Sequence, residues 1–525
     1  MTDLQVSQTF VSDAASESVL IDLKTSTAIN AGPQGTTLTV AYDAATQSYS
    51  LSSPDFTQAF GPGDVQSSDD FDTAYLKVGS TRDRLTLIKS PYSGGPPSKY
   101  VGAGFWQRNS LSDTQQDTLF GTFTYGQNTP AGAVPRTGTA AFDIEVFGLS
   151  TFPGYQPRQF QGAGKFSTDF GAGVFSAQAY VTEYEVTSGN GTVGGGIEMI
   201  SGGHLNSNGT FTGNVLLGSS NGSIGGSLSG RFYGPAAEEV GASFTGGKDG
   251  TAVAGSFWGP RSDAEADNLT LTNLTQSQLF YTQFGSNSVG QMNWQNSETF
   301  TYSPPTSAYN GGQFTINDKV ASTDPNFTTY RKSFAGSFET QDVTLELYKP
   351  GAVNTELALT YASFGHWSTL TSQYGGPTPV NQWFAYGLET PARLLSGKTG
   401  TGHYEGVVYG SGNQNNAILA VKGTSTFDVD FSAQSLSGAL AMTGAPSSGG
   451  ATVDFGSFDF TGKLAGYAAG STFTLNKGGQ AAGQLETRFF GPDGDEIAGP
   501  FSLNVPQGTP GAGTSITGVA AAKRQ

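Results

Sequence analysis

RFYGPAAEEVGASF, Arg231 to Phe244, and RFFGPDGDEIAGPF, Arg488 to Phe501, are one phrase written twice in a single chain. Each copy places Gly-Pro, Gly234-Pro235 and Gly491-Pro492, between two strand-like runs that carry Phe232 and Phe489. Proline fixes φ and glycine supplies backbone freedom, so the dipeptide marks a tight turn. Glu239 and Glu496 follow each Pro by four residues, placed to accept hydrogen bonds from the turn backbone or to pair with Arg231 and Arg488. A barrel-closing corner is the structural reading; a ligand-contacting role for the glutamates is the alternative.

On either side of this phrase the copies stay in register. YVGAGFWQ at Tyr100 meets YASFGHWS at Tyr361, and Trp106 to Tyr125 spans the same 19 residues as Trp367 to Tyr386. FTYGQNTP (Phe123 to Pro130) meets FAYGLETP (Phe384 to Pro391). After a one-residue insertion, Thr137-Gly138-Thr139 meets Thr399-Gly400-Thr401, and Phe142 and Gly148 then fall opposite Tyr404 and Gly410. FSTDFGAGVFS, from Phe166, meets FDVDFSAQSLS, from Phe427, keeping Asp169 with Asp430. Matches in one order at offsets of 257 to 263 residues amount to a duplication. The polar run RSDAEADN, 261–268, is the linker this spacing leaves.

With 525 residues, each half can bury its own core. The 75 Gly, 36 Phe and 21 Tyr, against only 13% charged residues, favour many short strands over helices. A net charge of −17 opposes phosphate backbones and anionic lipid, so no nucleic acid partner is expected. No cysteine is present, which removes disulfides, thiolate catalysis and a lipidated Cys from this sequence. Met1 to Leu20 carries Asp3, Asp13 and Glu17 and no apolar core of a leader, and no run of 18 apolar residues predicts a transmembrane segment. Either the leader is missing from the sequence, or export is non-classical.

Period-2 alternation sets Val343, Leu345 and Leu347 against Thr344, Glu346 and Tyr348, and Phe427, Val429 and Phe431 against Asp428 and Asp430. Turn signals at Asn190-Gly191, Asn208-Gly209, Asn221-Gly222 and Lys248-Asp249-Gly250 separate such runs. The predicted fold is all-β: two tandem lobes, each a β-rich handle subdomain followed by an eight-stranded antiparallel up-and-down β-barrel, since closure removes edges. A sandwich is the runner-up. The predicted boundaries are handle 1–95, barrel 96–260, linker 261–268, handle 269–345 and barrel 346–525.

The phrase from Gly230 to Phe244 and its second copy resemble the signature near the end of the barrel in transferrin-binding protein B-like proteins, and FxYGxxTP with TGTAxF resembles barrel domains of that family. The resemblance implies a binding protein without catalysis, feeding a TonB-dependent outer-membrane receptor. It also implies capture of an iron- or haem-related or other nutrient ligand, a bacterial cell-surface or extracellular location, an iron- or haem-carrying protein as partner, and haem as the one cofactor to test, none being expected otherwise.

Haem needs an axial His or Tyr in an apolar pocket. His204, in the glycine-rich SGGHLNSNG, and His366, beside Trp367, are the ligand candidates, with Trp106 and Trp367 as aromatic contacts; a solvated loop histidine and a strand histidine are the bland readings. His403, like the other two histidines, has no histidine opposite it in the other copy. Asp69, Asp70 and Asp72, and Asp493, Asp495 and Glu496, lack calcium-hand spacing. No hydrolase, zinc-protease or nucleotide motif occurs, so neither a catalytic nor a metal site is assigned. Recognition is expected at barrel-end loops such as Gln107 to Thr118 and Thr369 to Gln382, which differ between copies. The alternative function is a structural or adhesive surface protein without a small ligand; a polymer hydrolase is the third.

Overall fold

The structure is a computed structural model that describes all residues except 1–3, 55, 189–190, 286–287, 307–310, 336–339, 372–377, 415–416, 448 and 466–469. The chain divides into two units, Met1–Asp267 and Asn268–Gln525, parted inside the expected linker. Each unit holds an open nine-stranded sheet and then a closed eight-stranded barrel.

In the first unit the sheet comprises β1 (Gln8–Asp22), β2 (Thr27–Asp43), β3 (Ser48–Ser52), β4 (Thr57–Phe60), β5 (Val65–Ser68), β6 (Asp72–Val78), β7 (Arg82–Ile88), β8 (Val101–Leu111) and β9 (Gln115–Gly126). Their order is β4-β3-β2-β1-β9-β8-β7-β6-β5, so the chain enters and leaves through the middle of the sheet. The barrel comprises β10 (Thr139–Thr151), β11 (Arg158–Asp169), β12 (Val174–Glu185), β13 (Gly191–Leu205), β14 (Thr210–Ser219), β15 (Gly222–Tyr233), β16 (Glu239–Gly246) and β17 (Ala252–Ser262). These lie in sequence order, and β10 pairing with β17 closes the barrel. The second unit repeats the plan. Its sheet runs from Gln278–Phe284 to Thr378–Gly387, its barrel from Thr401–Gln414 to Ser515–Arg524, and a short α-helix, Ala392–Ser396, lies between them.

The expected handle–barrel boundaries fall too early. β8 and β9, which carry YVGAGFWQ and FTYG, are sheet strands, as are Thr340–Tyr348, Ala362–Thr371 and Thr378–Gly387. The barrels therefore begin at Thr139 and Thr401, not at 96 and 346. Glycines among aromatics read as barrel wall, but Gly102 and Gly104 serve the sheet: a Cβ on either would come within 2.8 Å of the ring of Tyr125 or Phe123.

Both barrels are filled. Phe142, Phe166, Phe175, Phe211 and Phe232 meet inside the first, and Tyr404, Phe427, Phe458, Phe460 and Phe473 inside the second. The alternation predicted at 427–431 points Phe427, Val429 and Phe431 inward and exposes Asp428. In the sheets the alternation has a different outcome. Val343 and Leu345 join the handle core, yet Tyr348, on the face expected to be wet, is fully buried and lies 5.9 Å from the ring of Tyr409 on the barrel. The handle sheet is thus covered on both sides where the barrel packs.

Three of the predicted turn signals sit between barrel strands, at 208–209, 221–222 and 248–250, while Asn190 lies outside the described residues. Asp169 and Asp430, shared by the copies, close equivalent turns by accepting from the backbone N–H of Ala172 (3.0 Å) and Ala433 (2.8 Å). An Asp430→Ala change should therefore cost about 1 kcal/mol, read as a lower urea midpoint at unchanged m-value.

Candidate functional site

The repeated phrase forms the strand-turn-strand that the sequence predicts. Gly234 (φ 86°) and Gly491 (φ 88°) take the left-handed conformation that favours glycine. Thr129 donates its hydroxyl to the carbonyl of Gly234 at 2.7 Å, and Thr390 donates to Gly491 at 2.5 Å. Phe232 and Phe489 point into their barrels.

The glutamates do neither thing expected of them. The turn backbone is capped by the acid one position earlier: Glu238 accepts from Ala236 at 2.7 Å, and Asp495 accepts from Asp493 at 3.1 Å. Glu239 instead reaches across to the handle and accepts the backbone N–H of Lys99 (2.5 Å), Tyr100 (2.8 Å) and Val101 (2.7 Å). Glu496 does the same with Thr360 (2.6 Å), Tyr361 (2.9 Å) and Ala362 (2.7 Å). Both are buried, so each carboxylate is satisfied by three converging N–H groups and offers nothing to a ligand. They fasten barrel to handle where β8 and its counterpart begin.

The arginines also bind the handle. Arg231 forks onto Asp13, Nε to Oδ2 at 2.6 Å and Nη2 to Oδ1 at 2.9 Å. Arg488 donates to Gln283 at 3.1 Å and to Glu389 at 3.0 and 3.2 Å. Asp13 pairs with Thr124 and Gln283 with Ala385, 261 residues on, so Asp13 and Gln283 hold the same place. Where the second copy has an amide there, the acid comes from Glu389, which stands at the position of Asn128.

Trp106 and Trp367 are core residues. Trp106 stacks on Phe56 at 4.0 Å in the first handle, and Trp367 is fully buried in the second. Both face away from the barrel, and reaching a ligand would mean opening the sheet core. His366 faces the barrel, with Nδ1 3.0 Å from Glu346, Nε2 3.1 Å from Asn381 and its ring stacked on Trp383 at 4.5 Å. Both ring nitrogens are engaged, leaving neither for an iron. His204 lies in β13, half-buried between Val174 and Thr212, and not in a loop.

Exposed His403 bonds Asp428 at 2.6 Å. Asp69 closes its own turn on Phe71 and Asp72, while Asp493 pairs with Lys398 at 2.6 Å and with Arg524 at 3.3 Å.

Sequence reasoning missed a cavity of about 640 Å³ in the first lobe, between the barrel-facing side of the sheet and the barrel wall. Val19, Phe105 and Phe120 line it from the sheet, Phe147 and Leu149 from the barrel. The segment Gln107 to Thr118, expected as a barrel-end loop, is the β8–β9 hairpin of the handle. Its alternate residues Gln107, Asn109, Gln116 and Thr118 form one cavity wall, which is the sequence signal available for it. In the counterpart, Thr369 to Gln382, residues 372–377 lie outside the described residues.

The family model for the C-lobe and N-lobe β-barrels of transferrin-binding protein B matches residues 397–524, the second barrel. No curated protein matches the chain. Solved structures similar to it include a double mutant of the vaccine antigen transferrin binding protein B from Haemophilus parasuis, at 16% identity over 84% of this chain and 85% of that one (TM-score 0.31). The isotype 1 protein from serogroup B Neisseria meningitidis is 16% identical over 84% and 89% (TM-score 0.26). Intact Ap-TbpB, with N and C lobes, is 14% identical over 97% and 95% (TM-score 0.26). At these identities no ligand or partner carries over.

Proposed function

We propose that this chain, whose residues 397–524 match the barrel of transferrin-binding protein B and whose first lobe repeats the second strand for strand, is a transferrin-binding protein B-like binding protein, secreted or held at the bacterial cell surface. It captures an iron- or haem-carrying protein on the outer surfaces of its lobes, for hand-over to a TonB-dependent outer-membrane receptor, and does no catalysis. The observation that supports this reading is the filling of both barrels by aromatic side chains. A barrel packed to its axis holds no cargo, so recognition belongs to handle faces and strand ends held rigid by the Glu239 and Glu496 fastenings. No helix among the described residues is long and apolar enough to cross a membrane.

The test is binding of immobilised full-length chain to iron-loaded transferrin, haemoglobin and free haem in turn. Saturable binding of one iron- or haem-carrying protein is expected. Failure of all three, with concentration-dependent self-assembly in light scattering, would replace the reading with that of an adhesive surface module.

A further inference from the structure

We propose that the first-lobe cavity is a binding site for a small amphipathic anion, whose apolar body lies on Phe105, Phe120 and Phe147 and whose charged head meets Arg84. This does not rest on the iron or haem reading. The volume of about 640 Å³ is that of a site for a single small ligand. Its floor is aromatic: Phe105 stacks on Phe147 across the junction at 4.5 Å and lies 6.1 Å from Phe120.

The polar wall is partly bonded within itself. Gln107 donates to Asn109 at 3.0 Å, Thr118 donates to the same oxygen at 2.9 Å, and Gln116 donates to Thr118 at 2.8 Å. Neutral amides and a hydroxyl select no ligand charge, so the charged side chains on the lining set the preference. Arg84 is the one cation on the lining, and no ion pair holds it among the described residues. The acid on the lining, Glu185, is committed to Arg158 at 3.6 Å and to the hydroxyl of Ser188 at 2.6 Å.

The sheet register sets Glu17, Phe120, Gln107 and Arg84 in one row across the barrel-facing side. Glu17 closes the buried end of that row, and its Oε2 has no partner among the described residues. Burial pushes this carboxyl up to about 8, so at neutral pH it sets no negative charge against an anion.

The second lobe supplies an internal comparison. Thr122 pairs with Phe105, and in the second handle Trp383 pairs with His366, the same two places. The Trp383 indole donates to Ser411 at 3.0 Å, and Ser411 stands where the first lobe has the cavity-lining Leu149. One copy thus spans this junction with its own indole, and the other has the smaller, buried Thr122 in that place.

Titration of the full chain with 1-anilinonaphthalene-8-sulfonate, followed by displacement with decanoate or decanol, tests the site. One saturable site per chain is expected, emptied by decanoate. Arg84→Gln should weaken decanoate about tenfold and leave decanol within about twofold. Thr122→Trp, which copies the second lobe, should weaken the probe by tenfold or more. Because that variant places a large side chain in a packed junction, a second readout uses the cysteine-free background: Ser26→Cys places one thiol on the cavity lining, and decanoate should slow its reaction with a maleimide several-fold. The proposal is overturned by absence of saturable probe binding, by a folded Thr122→Trp chain that binds the probe as before, by an Arg84→Gln change that weakens decanoate and decanol alike, or by thiol reactivity indifferent to decanoate.

Discussion

Glu496→Ala is expected to destabilise the second lobe by about 3–5 kcal/mol, and Glu239→Ala to destabilise the first by somewhat less. Each side chain is an acceptor for three successive backbone N–H groups, and leaving a buried donor unpaired costs about 1–3 kcal/mol. In the second lobe Tyr361 and Ala362 are buried and Thr360 half-buried, so little water reaches the orphaned groups. In the first, Lys99 is exposed and recovers its bond from solvent, leaving Tyr100 and Val101 to bear the loss. Glutamine keeps the shape but turns an amide NH₂ towards donors, so Glu496→Gln should fall between parent and alanine variant. Urea unfolding gives the magnitude, and hydrogen exchange gives the cause: amides 360–362 should lose protection ahead of the barrel strands. If Glu496→Ala unfolds within 1 kcal/mol of the parent, or those amides stay protected, the fastening role is wrong.

That role was half legible. The phrase repeats in sequence, and its Gly-Pro turn follows from the conformational limits of two residues, so the corner was predictable at Gly234 and Gly491. What the glutamates bind was not, because their partners lie 134 to 140 residues upstream and are backbone groups, which any residue carries. The boundaries failed for a related reason. Glycine beside an aromatic ring is needed wherever strands pack closely, in handle and barrel alike, so Gly102 and Gly104 gave no hint of which sheet they served.

The two candidate aromatic contacts, Trp106 and Trp367, are core residues shared by the copies. The unlike pairs, Phe105 with His366 and Thr122 with Trp383, are where the two junctions diverge. In a duplicated chain, agreement between copies marks what the fold needs, and disagreement marks where one copy is open to a different use. Period-2 alternation along Phe105, Gln107 and Asn109 put one face of β8 towards the barrel, but only the fold brings Phe147 and Leu149 opposite it.

Glu17 carries the other large expectation, a first lobe that loses stability as the solution becomes more alkaline. Its side chain is fully buried, with Oε1 accepting from the Thr151 hydroxyl at 2.9 Å, and burial raises its carboxyl from 4.5 to about 8. Between those values the folded lobe keeps a proton that the unfolded chain has released, so folding binds protons and stability falls with rising pH. The contribution is whole below about 4.5, declines by about 1.4 kcal/mol per pH unit through the window, and is flat above about 8. Asp22, Asp43 and Asp69 act in the opposite sense: their backbone and hydroxyl donors hold them below the usual carboxylate range, and their contribution fades only as pH falls through those lower values. The stability optimum should therefore be mildly acidic. Glu17→Gln keeps an acceptor for Thr151 and removes the ionisation, so it should match the parent near pH 4.5 and exceed it by roughly 2–4 kcal/mol at pH 8, with the slope gone. Urea midpoints of parent and variant at half-unit steps from pH 4.5 to 8.5 decide the matter: parallel profiles would mean that the proton on Glu17 is not what ties this lobe to pH.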